Sequence, residues 1–236
     1  QLAKLGDTIC TTPVLRALRR YSPGSHLTFL GGSDYRELLA DSGLIDNYLI
    51  ASDSPNLASE NFDVALMVVP QFTTLAKLFL SGIPCIIVPK VVDGRSPYEG
   101  LLYKLLRNLV IVPPHSMVSY APRQYLRILE PLGIKTSDTR KHLGFSMLAD
   151  RQMQALLEEN DIVPGRDLCV GISATVGNKI KEWDPARFAQ VANIISRDYN
   201  ARIIIFGGPG DEQVTSHMKR DLKTGVKVLD TTGQLS

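Results

Sequence analysis

The sequence predicts an α/β protein with parallel sheets, organised as two Rossmann-like domains of which the second is incomplete. Apolar, strand-like runs alternate with helix-period patterns along most of the chain, the pattern of repeated βα units with helices on both faces of a sheet. The run Asp63 to Val69 is nearly continuous in apolar residues, as strands covered on both faces are. Periodicity lapses over 133–149, and a connection with Pro164-Gly165 precedes the restart of the alternation. These features place one domain at 1–165 and a second at 166–236.

Taken in order, a helix is expected over Thr8 to Tyr21, at least after Pro13, with Val14, Ala17, Leu18 and Tyr21 on one face. His26 to Leu30 reads as a strand, Tyr35 to Ala40 as a short helix and Tyr48 to Ala51 as a strand. The strand 63–69 leads to a helix over Thr73 to Leu80 and a strand over Cys85 to Val88, bracketed by Pro84 and Pro89. Leu101 to Leu109, Ala121 to Leu132 and Met153 to Glu159 follow as helices. In the second domain, Leu168 to Ile172 reads as a short buried strand. Helix 185–198 has a well-signalled start: Asp184 is an N-cap type, Pro185 suits the first helical position, and Trp183 and Phe188 are placed for a hydrophobic staple. Strand Arg202 to Phe206, helix 211–222 and strand Val226 to Leu229 complete the series.

Composition excludes several classes. The 26 Lys and Arg against 24 Asp and Glu give no basic excess for general nucleic-acid binding. No apolar run approaches the roughly 18 residues that span a bilayer, and no signal peptide is present. Cys10, Cys85 and Cys169 are widely spaced in apolar surroundings and read as buried thiols of a reducing compartment. His26, His115, His142 and His217 share no ligand spacing, so no metal site is expected. A chain starting almost on an LGD loop and ending on a strand and its turn reads as cut at both ends.

Four constellations bear on chemistry. The strand 168–172, the small-residue loop Ser173 to Asn178, the cations Lys179 and Lys181, and the helix start at Pro185 form the geometry of a phosphate site. The loop lacks the G-K-[ST] ending of a P-loop, which disfavours nucleoside-triphosphate hydrolysis. In Leu5-Gly6-Asp7-Thr8, Gly6 permits a tight turn, and Asp7 reads either as a helix cap or as a general base facing a cleft. Gly207-Gly208-Pro209-Gly210-Asp211-Glu212 lets a ligand approach the backbone at Gly208, with an acid placed for ribose hydroxyls or simply matched to the helix dipole. Asp230-Thr231-Thr232-Gly233 closes a parallel strand and reads as a turn or a ligand-side loop.

Together, LAKLGDTICTTPVLRALRRYSPGSHLTFL and GISATVGNKIKEWDPARFAQVANIISRDYNARIIIFGGPGDE make the chain resemble glycosyltransferase family 9, the heptosyltransferase-like group of GT-B fold, over nearly its whole length. The family's usual apolar strand ahead of L-G-D, and its later D-[ST]-G-x-x-H stretch, are not in this sequence. The resemblance implies inverting transfer of a sugar, ADP-heptose being the best-known donor, to a lipopolysaccharide core or related glycan. It implies Asp7 as the base, Lys181 on the donor phosphate and Glu212 near the ribose; Thr175 and Lys179 fall in the phosphate loop. It implies no cofactor and no metal, with a lysine and helix amides in place of a cation. A lipid-linked acceptor would set the enzyme at the cytoplasmic face of the inner membrane, with Arg16, Arg19, Arg20, Arg36, Lys104 and Arg107 available to anionic head groups or simply solvated. Two other readings stay open: a nucleotide-binding module without transfer activity, and a GT-B transferase using another nucleotide sugar. A dinucleotide oxidoreductase is disfavoured, because the glycine run lacks the last glycine of G-x-G-x-x-G.

Overall fold

The computed structural model describes residues 5–177 and 179–235, with the side chain of Lys179 also outside the described set. It divides into two compact units, residues 1–147 and 148–236. The first holds α1 (Leu5–Tyr21), β1 (Thr28–Gly31), α2 (Glu37–Ala40), β2 (Asn47–Ile50), β3 (Val64–Leu66), α3 (Phe72–Leu80), β4 (Cys85–Ile87), β5 (Lys90–Asp93), α4 (Leu101–Leu106), β6 (Pro114–Ser116) and α5 (Ala121–Leu126). The second holds α6 (Met147–Glu159, from Leu148 on), β7 (Cys169–Ser173), α7 (Pro185–Tyr199), β8 (Arg202–Phe206), α8 (Glu212–Arg220) and β9 (Val228–Asp230). The division falls ahead of α6, not near residue 165. The turn after α6 is tied to β8, where the Arg202 guanidinium donates to the Asp161 carbonyl at 2.7 Å.

Every strand pairing among the described residues is parallel, in the order β1-β2, β3-β4, β5-β6 and β7-β8-β9. That is the outcome expected of βα units, whose crossovers must return each strand in the same sense. In the first unit, Leu75, Ile87, Val88, Tyr103 and Leu129 are fully buried in clusters that join α1, α3 and α5 to the strands. In the second, Ile203 and Ile205 of the central strand β8 pack with Ala189 and Ala192 of α7 and Met218 of α8. No helix among the described residues is long and apolar enough to cross a membrane.

Several elements differ from the sequence reading. Helix α1 is already formed at Leu5 and runs through Pro13. Proline removes the N–H that would reach the Ile9 carbonyl, and the Thr12 hydroxyl donates to that carbonyl instead, at 2.8 Å. Helix α6 starts six residues earlier than Met153. Strands β5 and β6 were not expected: they are short, and Pro114 sits at a strand start, where a missing donor is tolerated. The expected helices 101–109 and 121–132 tighten into 3₁₀ turns after Leu106 and Leu126. Strand β7 presents Cys169, Gly171 and Ser173 on an exposed face, so Cys169 is exposed, while Cys10 and Cys85 are only half-buried.

The aperiodic stretch 133–146 is a strap across the first unit. His142 N–H donates to Thr12 Oγ1 at 3.0 Å, and the Arg16 guanidinium donates to the Arg140 carbonyl at 2.8 Å. Gly144 rests on backbone: a Cβ there would lie 2.1 Å from the Asp41 carbonyl carbon.

Candidate functional site

Asp7 lies in the first turn of α1, not in a loop ahead of the helix. There its charge suits the helix dipole. Tyr125 of α5 donates its hydroxyl to Asp7 Oδ1 at 3.1 Å. Tyr125 is buried, and its ring stacks on that of His115 from β6, with centroids 5.9 Å apart and planes at 17°. Burial first, then the neighbouring Asp7 carboxylate, push the Tyr125 phenol well above its ordinary range, so it remains a donor. Burial first, then the Arg127 guanidinium, push the His115 imidazole below its ordinary value, which leaves it neutral at neutral pH.

These three residues line a pocket of about 340 Å³ together with Tyr35, Tyr98 and Met117. The helix start, β6 and α5 thus bring a carboxylate, a phenol and an imidazole to one hollow of the first unit. A second pocket of about 190 Å³, lined by α1, β1, β3 and α3, is apolar apart from a few hydroxyls and His26. His26 is its one titratable side chain, whereas the Asp7 pocket gathers a carboxylate, a phenol and an imidazole and is the candidate.

In the second unit, the start of α7 forms as its sequence requires. The Asp184 carboxylate accepts from Ala186 N–H at 2.9 Å, Pro185 opens the helix, and Trp183 and Phe188 meet edge to face at 4.9 Å. Lys179 to Lys181 form a 3₁₀ turn just before it. Lys181 is exposed, and its ammonium makes no ion pair with a described residue. Asn178 and the Lys179 side chain lie outside the described residues.

The loops that follow β7, β8 and β9 converge. Thr175 Oγ1 donates to Asp211 Oδ2 at 2.8 Å, and Gly208 N–H donates to the same oxygen at 2.8 Å. Gly233 N–H donates to the Gly207 carbonyl at 2.9 Å. A Cβ on Gly207 would come 3.0 Å from Thr232 Cγ2 and 3.1 Å from Asp211 Cβ, so the loops touch where the glycine is. Gly210 has φ of 95°, a conformation that favours glycine. Glu212 opens α8, and its Oε1 lies 3.3 Å from where a Gly233 Cβ would be. Asp230 serves the turn: it pairs with Lys219 and accepts from Thr232 N–H at 3.0 Å.

Thr175, Gly208 and Glu212 are therefore gathered at one sheet end, but two of them are already bound to Asp211 in this arrangement. Asp211 and Tyr125 are the residues the sequence reading missed. Asp211 passed as one of two dipole-matched acids, and Tyr125 as one apolar position of a helix face.

No protein-family model matches the chain, and no curated protein matches its sequence. Among solved structures, a glycosyl transferase family 9 protein from Veillonella parvula DSM 2008 matches all of the chain and 68% of its own, with a TM-score of 0.77 at 23% identity. The chain has the fold of that transferase. The E. coli ADP-heptose lps heptosyltransferase II matches 97% of the chain and 70% of its own, with a TM-score of 0.67 at 14% identity. The E. coli heptosyltransferase WaaC, solved with ADP, matches 97% of the chain and 71% of its own, with a TM-score of 0.66 at 14% identity. The α/β, parallel-sheet GT-B architecture expected from the sequence is the architecture of these neighbours.

Proposed function

We propose that the protein is an inverting glycosyltransferase that moves a sugar from a nucleotide donor, ADP-heptose being the first candidate, to a hydroxyl of a lipopolysaccharide-core or related glycan. The observation that carries this reading is the setting of Asp7. It is a half-buried carboxylate held by a buried phenol in a sugar-sized pocket, on a chain whose whole length follows a family 9 transferase. The acceptor belongs on the first unit and the donor on the second. Asp7 takes the acceptor's hydroxyl proton as that oxygen attacks the anomeric carbon. The bond from that carbon to the diphosphate breaks, and the nucleoside diphosphate leaves.

Charge building on the leaving diphosphate needs a partner. Lys181 and the amide end of α7, a helix of 15 residues, supply one without a metal. Glu212 is assigned to the ribose hydroxyls, with the amide-rich Gly208 loop beneath, and Thr175 and Lys179 to the phosphate side. Lys181→Ala is expected to weaken ADP binding about 10- to 100-fold, the size of a lost charge-assisted hydrogen bond, and to leave adenosine binding nearly unchanged. Calorimetry with both ligands checks this, and equal weakening of the two refutes the phosphate role. Acceptor-dependent release of ADP from ADP-heptose tests the activity itself.

The reading extends to a lipid-linked acceptor and peripheral contact with the inner face of the bacterial inner membrane, the protein otherwise being cytoplasmic. Of the six basic residues considered for that contact, Arg16 pairs with Asp138, Arg19 with Asp46 and Arg107 with Glu99. Lys104 supports the idea better: it is exposed on α4 among exposed Leu101, Leu102 and Leu105. Co-sedimentation with anionic liposomes at low salt, lost at high salt and weakened by Lys104→Glu, is the expected result; no binding at low salt removes this part.

A further inference from the structure

We propose that Tyr125 is a positioning residue for the transfer: its hydroxyl fixes one oxygen of the Asp7 carboxylate, so that the other meets the acceptor hydroxyl at a constant place. The proposal rests on the reading of Asp7 as the base and adds the residue through which the fold holds that base.

Asp7 sits where its own element holds a side chain poorly. Leu5 and Gly6 of the same helical turn are exposed, and Asp7 itself is half-buried. Several staggered rotamers are open to an aspartate at such a place, and each carries the carboxylate to a different point. General-base catalysis needs a single point, because the oxygen must lie about 2.6–3.2 Å from the atom whose proton it removes.

Tyr125 supplies that constraint. Its hydroxyl donates to Asp7 Oδ1 at 3.1 Å, and its ring is fixed by the core. The ring packs in one buried cluster with Val14 and Ala17 of α1 and Leu129, and it stacks on His115 of β6. Gln124, the residue before it, accepts from Ser116 N–H at 2.9 Å and so ties α5 to β6. The hydroxyl is therefore held by the core, and the carboxylate is the partner that settles against it. A phenol kept protonated by burial donates without taking the charge of Asp7. It fills one of the roughly four lone-pair positions of a carboxylate, which leaves capacity for an acceptor hydroxyl. Satisfying a buried phenol does not itself require an acid: the Tyr103 hydroxyl donates to the Pro89 carbonyl at 2.7 Å, and the Tyr48 hydroxyl to the Gly32 carbonyl at 2.6 Å. Tyr125 instead reaches across 118 residues to the carboxylate of the pocket.

The test is a double-mutant cycle in turnover on the full chain. Tyr125→Phe keeps the ring and its stack on His115 and removes only the hydroxyl, so the fold is expected to survive, with the urea midpoint as the check. It is expected to lower kcat about 10- to 100-fold, the cost of a reacting group displaced by about an ångström. The acceptor KM and the ADP affinity are expected to change by less than about twofold, since no ground-state contact is lost. In an Asp7→Asn background the same substitution is expected to have no further effect on kcat, because no base remains to be placed.

An equal loss in both backgrounds overturns the proposal by showing a structural role, and so does an unchanged kcat in Tyr125→Phe. Asp7→Glu moves the carboxylate by one methylene and leaves the core untouched; full turnover there overturns the proposal whether or not Tyr125→Phe folds. The two readings fail separately. Unchanged kcat in Asp7→Asn removes the base and this proposal with it, whereas a loss in Asp7→Asn with none in Tyr125→Phe keeps the base and removes its positioning residue. Absence of acceptor-dependent turnover in the unaltered protein overturns both.

Discussion

Asp7→Asn is expected to lower turnover about 10²- to 10⁴-fold, the usual worth of a positioned general base, while nucleotide affinity stays within experimental error. Asparagine keeps the shape of the side chain and still offers an oxygen to the Tyr125 hydroxyl, so the 3.1 Å contact and the pocket survive. What it loses is the ability to take a proton from an acceptor hydroxyl at neutral pH. Affinity for the nucleotide should not follow, because the residues assigned to it all lie in the other unit. Steady-state kinetics alongside calorimetry separates the two quantities. Unchanged turnover would remove Asp7 as the base. A parallel loss of affinity would mean that the substitution disturbs more than the carboxylate.

The features legible in the sequence are the local ones. The start of α7 is set by residues within one turn of each other, Trp183, Asp184, Pro185 and Phe188, and each does in the structure what its type and position suggest. The parallel sheets followed from alternation, since short-range pattern fixes which face of each element is buried. The rest depends on partners far away in the chain. Asp7 meets Tyr125 across 118 residues, and Thr175 meets Asp211 across 36. Neither pair leaves a mark at any fixed spacing. Exposure of β7 is of the same kind: the run LCVGI is apolar enough for a strand covered on both faces, and only the surrounding packing leaves the face of Cys169, Gly171 and Ser173 open. Pro13 is accommodated inside α1 by a device one residue away, a Thr12 hydroxyl able to replace the missing donor.

Ile205→Ala is expected to destabilise the second unit by about 2–5 kcal/mol, the range for emptying a buried aliphatic site that cannot collapse. Ile205 is fully buried on β8, the central strand between β7 and β9, and lies in one cluster with Ala189, Ala192 and Met218. Helix α7 presents Ala189 and Ala192 there, so little side-chain volume on that side can refill the space, and Met218 of α8 is the one flexible neighbour among these residues. Urea unfolding should show the midpoint fall with an unchanged slope, and Ile194→Ala, at a half-exposed position of α7, should stay within about 0.5 kcal/mol. The residue also separates fold from site. Its carbonyl accepts from both Thr231 N–H at 2.9 Å and Thr231 Oγ1 at 2.8 Å, anchoring the loop after β9 beside the Gly207 turn. Those bonds are made by backbone oxygen, which valine supplies as well as isoleucine. Ile205→Val should therefore cost about 0.5–1.5 kcal/mol and leave nucleoside-diphosphate affinity intact. A marked loss of affinity with that small loss of stability would show that the convergence of the three loops depends on how the core beneath them is packed.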